Sequence, residues 1–462
     1  MSDLVDAPQD DAPTADDGAP HEHVPLVEVL PPPAPAGPRL PPVLTEAPVP
    51  PAHHGRLPRR TAGRAIAKGV GSAVAVLLVA SGAIAAYAVT DLVAPVAAKP
   101  SVRFESERVL ESVPDIGAME GGLNFLLVGS DKRPADGSFG DPMVDSAELN
   151  DVTMLLHIAE DHSHVEVVSF PRDLLVDVPA CEDPEDPGTM LYEGYDVRLN
   201  TVLGHGGLSC VGRTIEQLVG ITIPVGGIVE FKGVAALAEA VGGVEVCLVD
   251  PIDDPYSGLK LDAGRHEITG ATALAFLRTR HAVGDGSDLG RISAQQTFLA
   301  SLARTLQADG TLSNPLRLYS IAQAVLKNMT LSSGLQDAWR LVSIARTLQA
   351  VDLSKIAFIQ YPTAYTPDFS AVVPTESADA LALALRADEP VVFDPDATGD
   401  ASFGTVEAGG GTEEDVPDAA TAPPSDATVP PASPPPGAGE VLPPDVTGQT
   451  AADVRCTTAN GG

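Results

Sequence analysis

The chain has 462 residues, 44% of them hydrophobic, and a formal net charge of −35. That acidity excludes broad affinity for nucleic acid, whose phosphates require a basic stripe, and the apolar content excludes a chain disordered throughout. Its 43 prolines crowd the two ends, so a folded centre is expected between non-folding flanks.

In chain order, residues 1–64 repeat Pro, Asp and Glu with almost no aromatic side chains and read as a disordered cytoplasmic tail. Residues 65–90 read as one transmembrane helix. Positions 69–90 carry no charge, and a run of that length at about 1.5 Å per residue crosses a hydrocarbon core of roughly 30 Å. Arg56, Arg59, Arg60, Arg64 and Lys68 precede it, whereas the first basic residues beyond it are Lys99 and Arg103. The positive-inside rule then places the N-terminus in the cytoplasm and the rest of the chain outside. A cleaved signal peptide ending near Ala86-Tyr87-Ala88 is the alternative, and it exports the same domain. Residues 91–115 read as a stalk, 116–390 as the folded domain and 391–462 as a second disordered tail. Cys181, Cys210, Cys247 and Cys456 all follow the apolar run, which suits disulfides in an oxidising compartment, free thiols being the alternative. Of three pairings the favoured one joins Cys181 to Cys210, closing a Pro/Asp/Gly-rich loop, and Cys247 to Cys456, tying back the tail.

Within the domain, short apolar runs at 123–129, 152–158, 165–170, 225–231, 244–249 and 356–360 read as strands, the second and third forming a hairpin. Helical patterns at 212–219, 232–241, 270–277, 291–307, 315–327, 334–349 and 377–386 alternate with them. This order predicts an α/β fold, a three-layer α-β-α sandwich around a mixed sheet.

Asp131 follows the first strand and Asp151 opens the second. Carboxylates at strand ends sit at ligand crevices, and two of them suit Mg²⁺ or Mn²⁺ shared with a phosphate; each alone is more often a turn or cap residue. Ser169-Phe-Pro-Arg-Asp173 presents Arg172 and Asp173 at the same edge, although a plain ion pair explains them too. Scarce cations then cluster in the stretch from Arg278 to Gln296 (RTRHAVGDGSDLGRISAQQ). Arg278 and Arg280 point the same way only if the helix has unwound there. Gly284, Gly286 and Gly290 allow a tight turn, Ser287 or Asp288 can cap the next helix, and Arg291 and Gln295 share a helix face. Arginines beside a helix N-terminus make an anion site matched to phosphate oxygens.

These residues resemble the LytR-CpsA-Psr (LCP) phosphotransferases of Gram-positive envelopes, actinobacterial type. The resemblance rests on an ordered set of motifs: NFLLVGSDKR, NDVTMLLHI, VVSFPRD, RLN near residue 198, EAVGGVEVCL, ALAFLRTRH and GSDLGRISAQQ. The closing AADVRC is similar to the Cys-containing end of actinobacterial members and supports the Cys247–Cys456 pairing. The resemblance implies transfer of a glycopolymer from a polyprenyl-diphosphate carrier to a cell-wall acceptor, peptidoglycan or a glycoprotein, with a pyrophosphatase or a non-catalytic lipid-phosphate binder and transcription attenuator as alternatives. It implies that Asp131 and Asp151 hold Mg²⁺ and that Arg172, Arg278, Arg280 and Arg291 clamp the phosphates, with Gln295 and Arg133 nearby. Arg198 stands where many members have lysine, and Asn150 where many have serine. Asp173 is the candidate general base. Small-residue helices at 233–238 and 270–276 can line a slot for the lipid, or simply pack closely on the sheet. His281 has no mechanistic role in this reading.

Overall fold

The computed structural model describes residues 60–97, 102–104, 121–131, 149–308, 314–336, 338–394, 405–406 and 440–460. By internal contacts the chain divides after Ala73. The first unit holds the start of a long helix, Arg60–Ala97 (α1), whose stretch Gly63–Ile84 is long and apolar enough to cross a membrane. The second unit holds the rest of that helix and the whole domain.

The core is a seven-stranded mixed sheet. Its labelled strands are Leu123–Ser130 (β1), Asn150–Ile158 (β2), Val165–Phe170 (β3), Val225–Val229 (β4), Met329–Leu331 (β6), Ile356–Gln360 (β7) and Gly448–Thr450 (β8), in the spatial order β6-β4-β1-β2-β3-β7-β8. Among the described residues of this sheet, only β1–β4 and β3–β7 are parallel pairs. Val244–Leu248 (β5) belongs to a smaller sheet with Gly264–Ile268, Arg455–Thr457 (β9) and Thr405–Val406.

Strand alternation sorts the side chains into two layers. Leu126, Val128, Leu155 and Val168 pack on one face under Val202–Val219 (α2) and Glu376–Ala387 (α8). Met154, Ile158, Val165 and Val167 point the other way, toward Asp288–Gln307 (α5), Pro315–Asn328 (α6) and Ala338–Ala350 (α7). The result is a three-layer α-β-α sandwich. A third cluster joins Phe231–Ala240 (α3), Gly270–Arg278 (α4) and α5 to β5 through Val244, Phe276 and Phe298. Helix α5 therefore packs on two sheets at once, which is why twelve of its residues are buried, polar ones included.

Three expectations change. The run at 225–231 leaves the sheet at Val229, and Phe231 already opens α3. The stalk is not free of the domain. Phe104 is buried, a Cβ at Gly212 would lie 2.4 Å from its ring, and Val102 bridges to Ser332. Nor does the tail expected at 391–462 stay outside the fold. Residues 440–460 add β8 to the central sheet and β9 to the smaller one, because Val446, Ala451 and Cys456 bury against Phe358-bearing β7 and Cys247-bearing β5. Of the tail expected at 1–64, residues 1–59 lie outside the described residues and 60–64 already belong to α1. Both disulfides form, Cys181–Cys210 and Cys247–Cys456, with Cα separations of 5.5 and 4.4 Å.

Candidate functional site

The two predicted metal-binding carboxylates stand at adjoining ends of β1 and β2. Gly129 pairs with Val152 and Ser130 with Asn150, which leaves Asp151 as an extra residue in β2. Such a bulge turns consecutive side chains to one face, and Asp151 and Val152 both line the same cleft. Asp131 follows the end of β1, and its Oδ1 accepts a hydrogen bond from the Leu149 N–H at 3.0 Å; unlike Asp151 it is not among the residues lining that cleft. Among the described residues no third acid or histidine joins them. Two carboxylates alone suit Mg²⁺ or Mn²⁺, since Mg²⁺ keeps several waters and completes its shell with substrate phosphate. Asn150 is buried and structural: its side chain donates to Thr153 Oγ1 and accepts from the Leu203 N–H.

Arg172 reaches Asp151 at the bulge, Nη1 to Oδ1 at 3.2 Å. Its Nε lies 3.5 Å from Asp173 and 3.6 Å from Asp288. Burial opposes the charge of Arg172, but Asp288, Asp151 and Asp173 together outweigh that cost and raise its pKa. The cation is thus fixed in place at the β3 exit. Arg291, on the first turn of α5, is buried; its Nη2 lies 2.6 Å from Asp288 Oδ1 and donates to the Asp151 carbonyl at 2.8 Å. Gln295 follows one turn later and donates to the Leu277 carbonyl at 3.1 Å. Ser287, not Asp288, caps α5, accepting from the N–H groups of Leu289 and Gly290. Freed from capping, the Asp288 carboxylate binds the two arginines.

Helix α4 ends at Arg278, and Thr279 is extended with ψ 132°. That break sends Arg278 and Arg280 into the cleft from either side of a buried threonine. Arg172, Arg278, Arg280, Arg291, Gln295 and Asp151 all line one cleft of about 330 Å³. Arg198 and Asp173 do not line it. Arg198 ties Asp173 (3.7 Å) to the Ser370 carbonyl (2.9 Å), so this pair braces Arg172 from behind. Asp173 is thus placed to position Arg172. Arg133 lies outside the described residues.

Leu127, Met154 and Leu299 line the floor of this cleft and also line a second hollow of about 310 Å³. The second hollow runs between the sheet and α5–α7, past Phe125, Leu156, Leu302, Leu306, Ile321 and Leu348, and is almost wholly apolar. From the small-residue helices α3 and α4, Val234, Leu274, Leu277 and Arg278 line the polar cleft, while α5–α7 wall the apolar hollow. Sequence reasoning missed Asp288 as an arginine anchor, and it missed Asp254 and Tyr256, which line the cleft from the turn of the hairpin Ile252–Asp254/Leu259–Leu261. The acid one residue after a cap serine was the available signal for Asp288.

Residues 94–382 match the LytR_cpsA_psr family. The chain is similar to the cell wall biosynthesis protein LcpA of Corynebacterium glutamicum, with 32% identity over 281 residues, 54% of this chain and 52% of that protein. The probable cell wall biosynthesis protein LcpB of the same organism is 31% identical over 274 residues, 57% of this chain and 61% of that protein. The polyisoprenyl-teichoic acid–peptidoglycan teichoic acid transferase TagT of Bacillus subtilis is 25% identical over 305 residues, 64% of this chain and 87% of that protein. The match thus spans between a half and two thirds of the two Corynebacterium relatives.

Proposed function

The chain belongs to the LytR_cpsA_psr family, and from that premise we propose that it is a membrane-anchored transferase. It would move a glycopolymer from a polyprenyl-diphosphate carrier onto a hydroxyl of the cell wall, of peptidoglycan or a glycoprotein. The observation that carries this reading is the adjacency of two cavities. A cleft lined by four arginines, with Asp151, Glu230 and Asp254, lies beside an apolar hollow, and the two share Leu127, Met154 and Leu299 as lining. A polyprenyl diphosphate has the matching halves, an anionic head and a hydrocarbon tail. The name of the relative TagT, a teichoic acid transferase, supports the same class.

In this mechanism the hydrocarbon lies against Leu156, Leu302 and Ile321 while Arg172, Arg278, Arg280 and Arg291 grip the diphosphate. The guanidinium groups hold the phosphorus in line with the attacking hydroxyl and neutralise charge that gathers on the leaving polyprenyl phosphate, so the chain works by alignment and electrostatics. Mg²⁺, when bound by Asp131 and Asp151, would add charge neutralisation at the diphosphate. Asp288 and Asp173 keep Arg291 and Arg172 in register. Helix α1, with its basic N-terminal flank, would anchor the domain on the outer face of the membrane.

The test is to purify the protein in detergent, identify co-purified lipid by mass spectrometry, and assay Mg²⁺-dependent transfer for the parent and Arg278→Ala. A charge-assisted contact is worth about 1.5–3 kcal/mol, so the variant should lose roughly ten- to a hundredfold in rate. Absence of both lipid and transfer from the parent, with an unaltered Arg278→Ala protein, would refute the proposal. Release of inorganic phosphate without a new phosphodiester would instead identify a pyrophosphatase.

A further inference from the structure

The cleft carries one feature that phosphate binding does not use. Tyr256 and His281 meet at its rim, ring centroids 5.0 Å apart, and both line it. Tyr256 is 80% exposed, a large ring held in water against little but an imidazole, and exposed apolar surface at a cleft mouth marks a contact site. The ring does not sit on a loose loop. The Tyr256 N–H donates to Asp254 Oδ1 at 2.9 Å, Thr279 Oγ1 donates to Asp254 Oδ2, and the hydroxyls of Ser257 and Thr279 are 2.8 Å apart. Asp254 and Thr279 are 2% and 0% exposed. Burial alone would raise the Asp254 pKa, but the hydrogen bonds from Thr279, Tyr256 and Ser257 prevail and lower it, so a buried carboxylate anchors this turn.

Thr279 is also the residue between Arg278 and Arg280. One hydrogen-bonded network thus fixes the aromatic rim and the arginine pair relative to each other. A phosphate gripped by those arginines has an aromatic face at a set place beside it. The partner such a face takes is a ring with apolar C–H groups on its faces and hydroxyls round its edge. Ser257, His281 and Glu230 also line the cleft and carry polar groups suited to hydroxyls at a ring edge. We propose that Tyr256 and His281 form a stacking subsite for a pyranose ring presented next to the phosphate held by Arg278 and Arg280. The inference rests on the transferase reading and deepens it by assigning the sugar a place. The ring has two sources, the carrier-linked donor glycan and the cell-wall acceptor glycan, and both have the chemistry described.

The experiment uses the full chain in detergent and titration calorimetry with three probes: geranylgeranyl diphosphate, a polyprenyl diphosphate bearing N-acetylglucosamine, and soluble glycan fragments of peptidoglycan. Parent, Tyr256→Ala and Tyr256→Phe are compared. An aromatic contact is worth about 0.5–1.5 kcal/mol, a factor of about two to ten in Kd. Tyr256→Ala should weaken the sugar-bearing lipid, or the glycan fragments, by that factor more than it weakens geranylgeranyl diphosphate, and Tyr256→Phe should behave as the parent. Whichever sugar-bearing probe responds identifies the donor or the acceptor as the source. Equal changes for all three probes would overturn the subsite and leave the transferase reading intact. Binding of glycan but of neither lipid, still dependent on Tyr256, would keep the subsite and remove the carrier from the proposed function.

Discussion

Replacing Asp288 by alanine removes the carboxylate that holds two arginines at once. Its Oδ1 lies 2.6 Å from Arg291 Nη2 and 3.6 Å from Arg172 Nε, and its Oδ2 accepts from the Arg172 N–H at 3.3 Å. An exposed ion pair is worth about 0–1 kcal/mol, whereas stripping the partner from a buried charge costs about 3–5 kcal/mol. With side chains 8% and 11% exposed, Arg291 and Asp288 sit near the second limit. Arg172 is 25% exposed and keeps Asp151 and Asp173, which favours the lower end, about 3 kcal/mol. For a domain of this size that lowers Tm by about 6–12 °C. Misplacing one phosphate-gripping arginine should also slow transfer by roughly ten- to a hundredfold. Scanning calorimetry and the transfer assay read the two effects separately. The double variant Asp288→Ala/Arg291→Met, which leaves no stranded charge in that pair, should regain part of the lost Tm but none of the transfer. A single variant that melts within 1 °C or so of the parent and transfers normally would refute the argument, because the buried-charge cost would then be absent.

Filling the apolar hollow should act on the lipid alone: Ala303→Trp, on the α5 wall, is expected to abolish co-purification of polyprenyl lipid, measured by mass spectrometry, at a melting temperature near that of the parent. Cys456→Ser should destabilise more than Cys181→Ser, since the loops closed span 209 and 29 residues; the chain-entropy relation gives about 5 and about 3.6 kcal/mol, checked by denaturant melts without reductant. At the sheet end away from the cleft, His164 Nδ1 is 2.8 Å from Glu166, with His157 and Asp388 alongside. Burial opposes protonation of His164, yet Glu166 and Asp388 prevail and raise its pKa above the ordinary 6.5. A raised pKa stabilises the fold fully below that ordinary value and progressively less as pH rises through the folded one. Unfolding midpoints should therefore fall from pH 6 to pH 8, and His164→Gln should flatten the slope.

The sheet was legible where burial on both faces makes a strand predominantly apolar, as in LNFLLVG and VEVVSF. The arginines were legible because cations are rare in so acidic a chain. What escaped was set by partners distant in sequence. Nothing local in Asn150-Asp151-Val152 announces the bulge, which exists only against Gly129 and Ser130 of β1. Asp254 and Tyr256 sit in DDPYSG, an ordinary turn by composition, and acquire a task only when Thr279 arrives beneath them. Residues 440–460 carry the Pro and Asp of a tail, but Gly448–Thr450 needs no long apolar run, since it borrows the edge of β7.

That last segment sets an order of events in the making of the protein. The loop after Arg280 is held by residues far downstream. Val283 bridges to Ala459, the Gly284 N–H donates to Thr458, and the Asn460 amide donates to the His281 carbonyl 179 residues earlier. Gly286 turns with φ 77°, and a Cβ there would lie 2.5 Å from that same Asn460 amide. At a synthesis rate of about 5–20 residues per second, the loop waits on the order of ten to forty seconds for its clamp. Throughout that interval the nascent chain has its cleft walls but an unsecured arginine loop. The loop that follows Arg280 is secured only once residues 458–460 have been made, so a late-synthesised segment completes the arginine-bearing wall of the cleft.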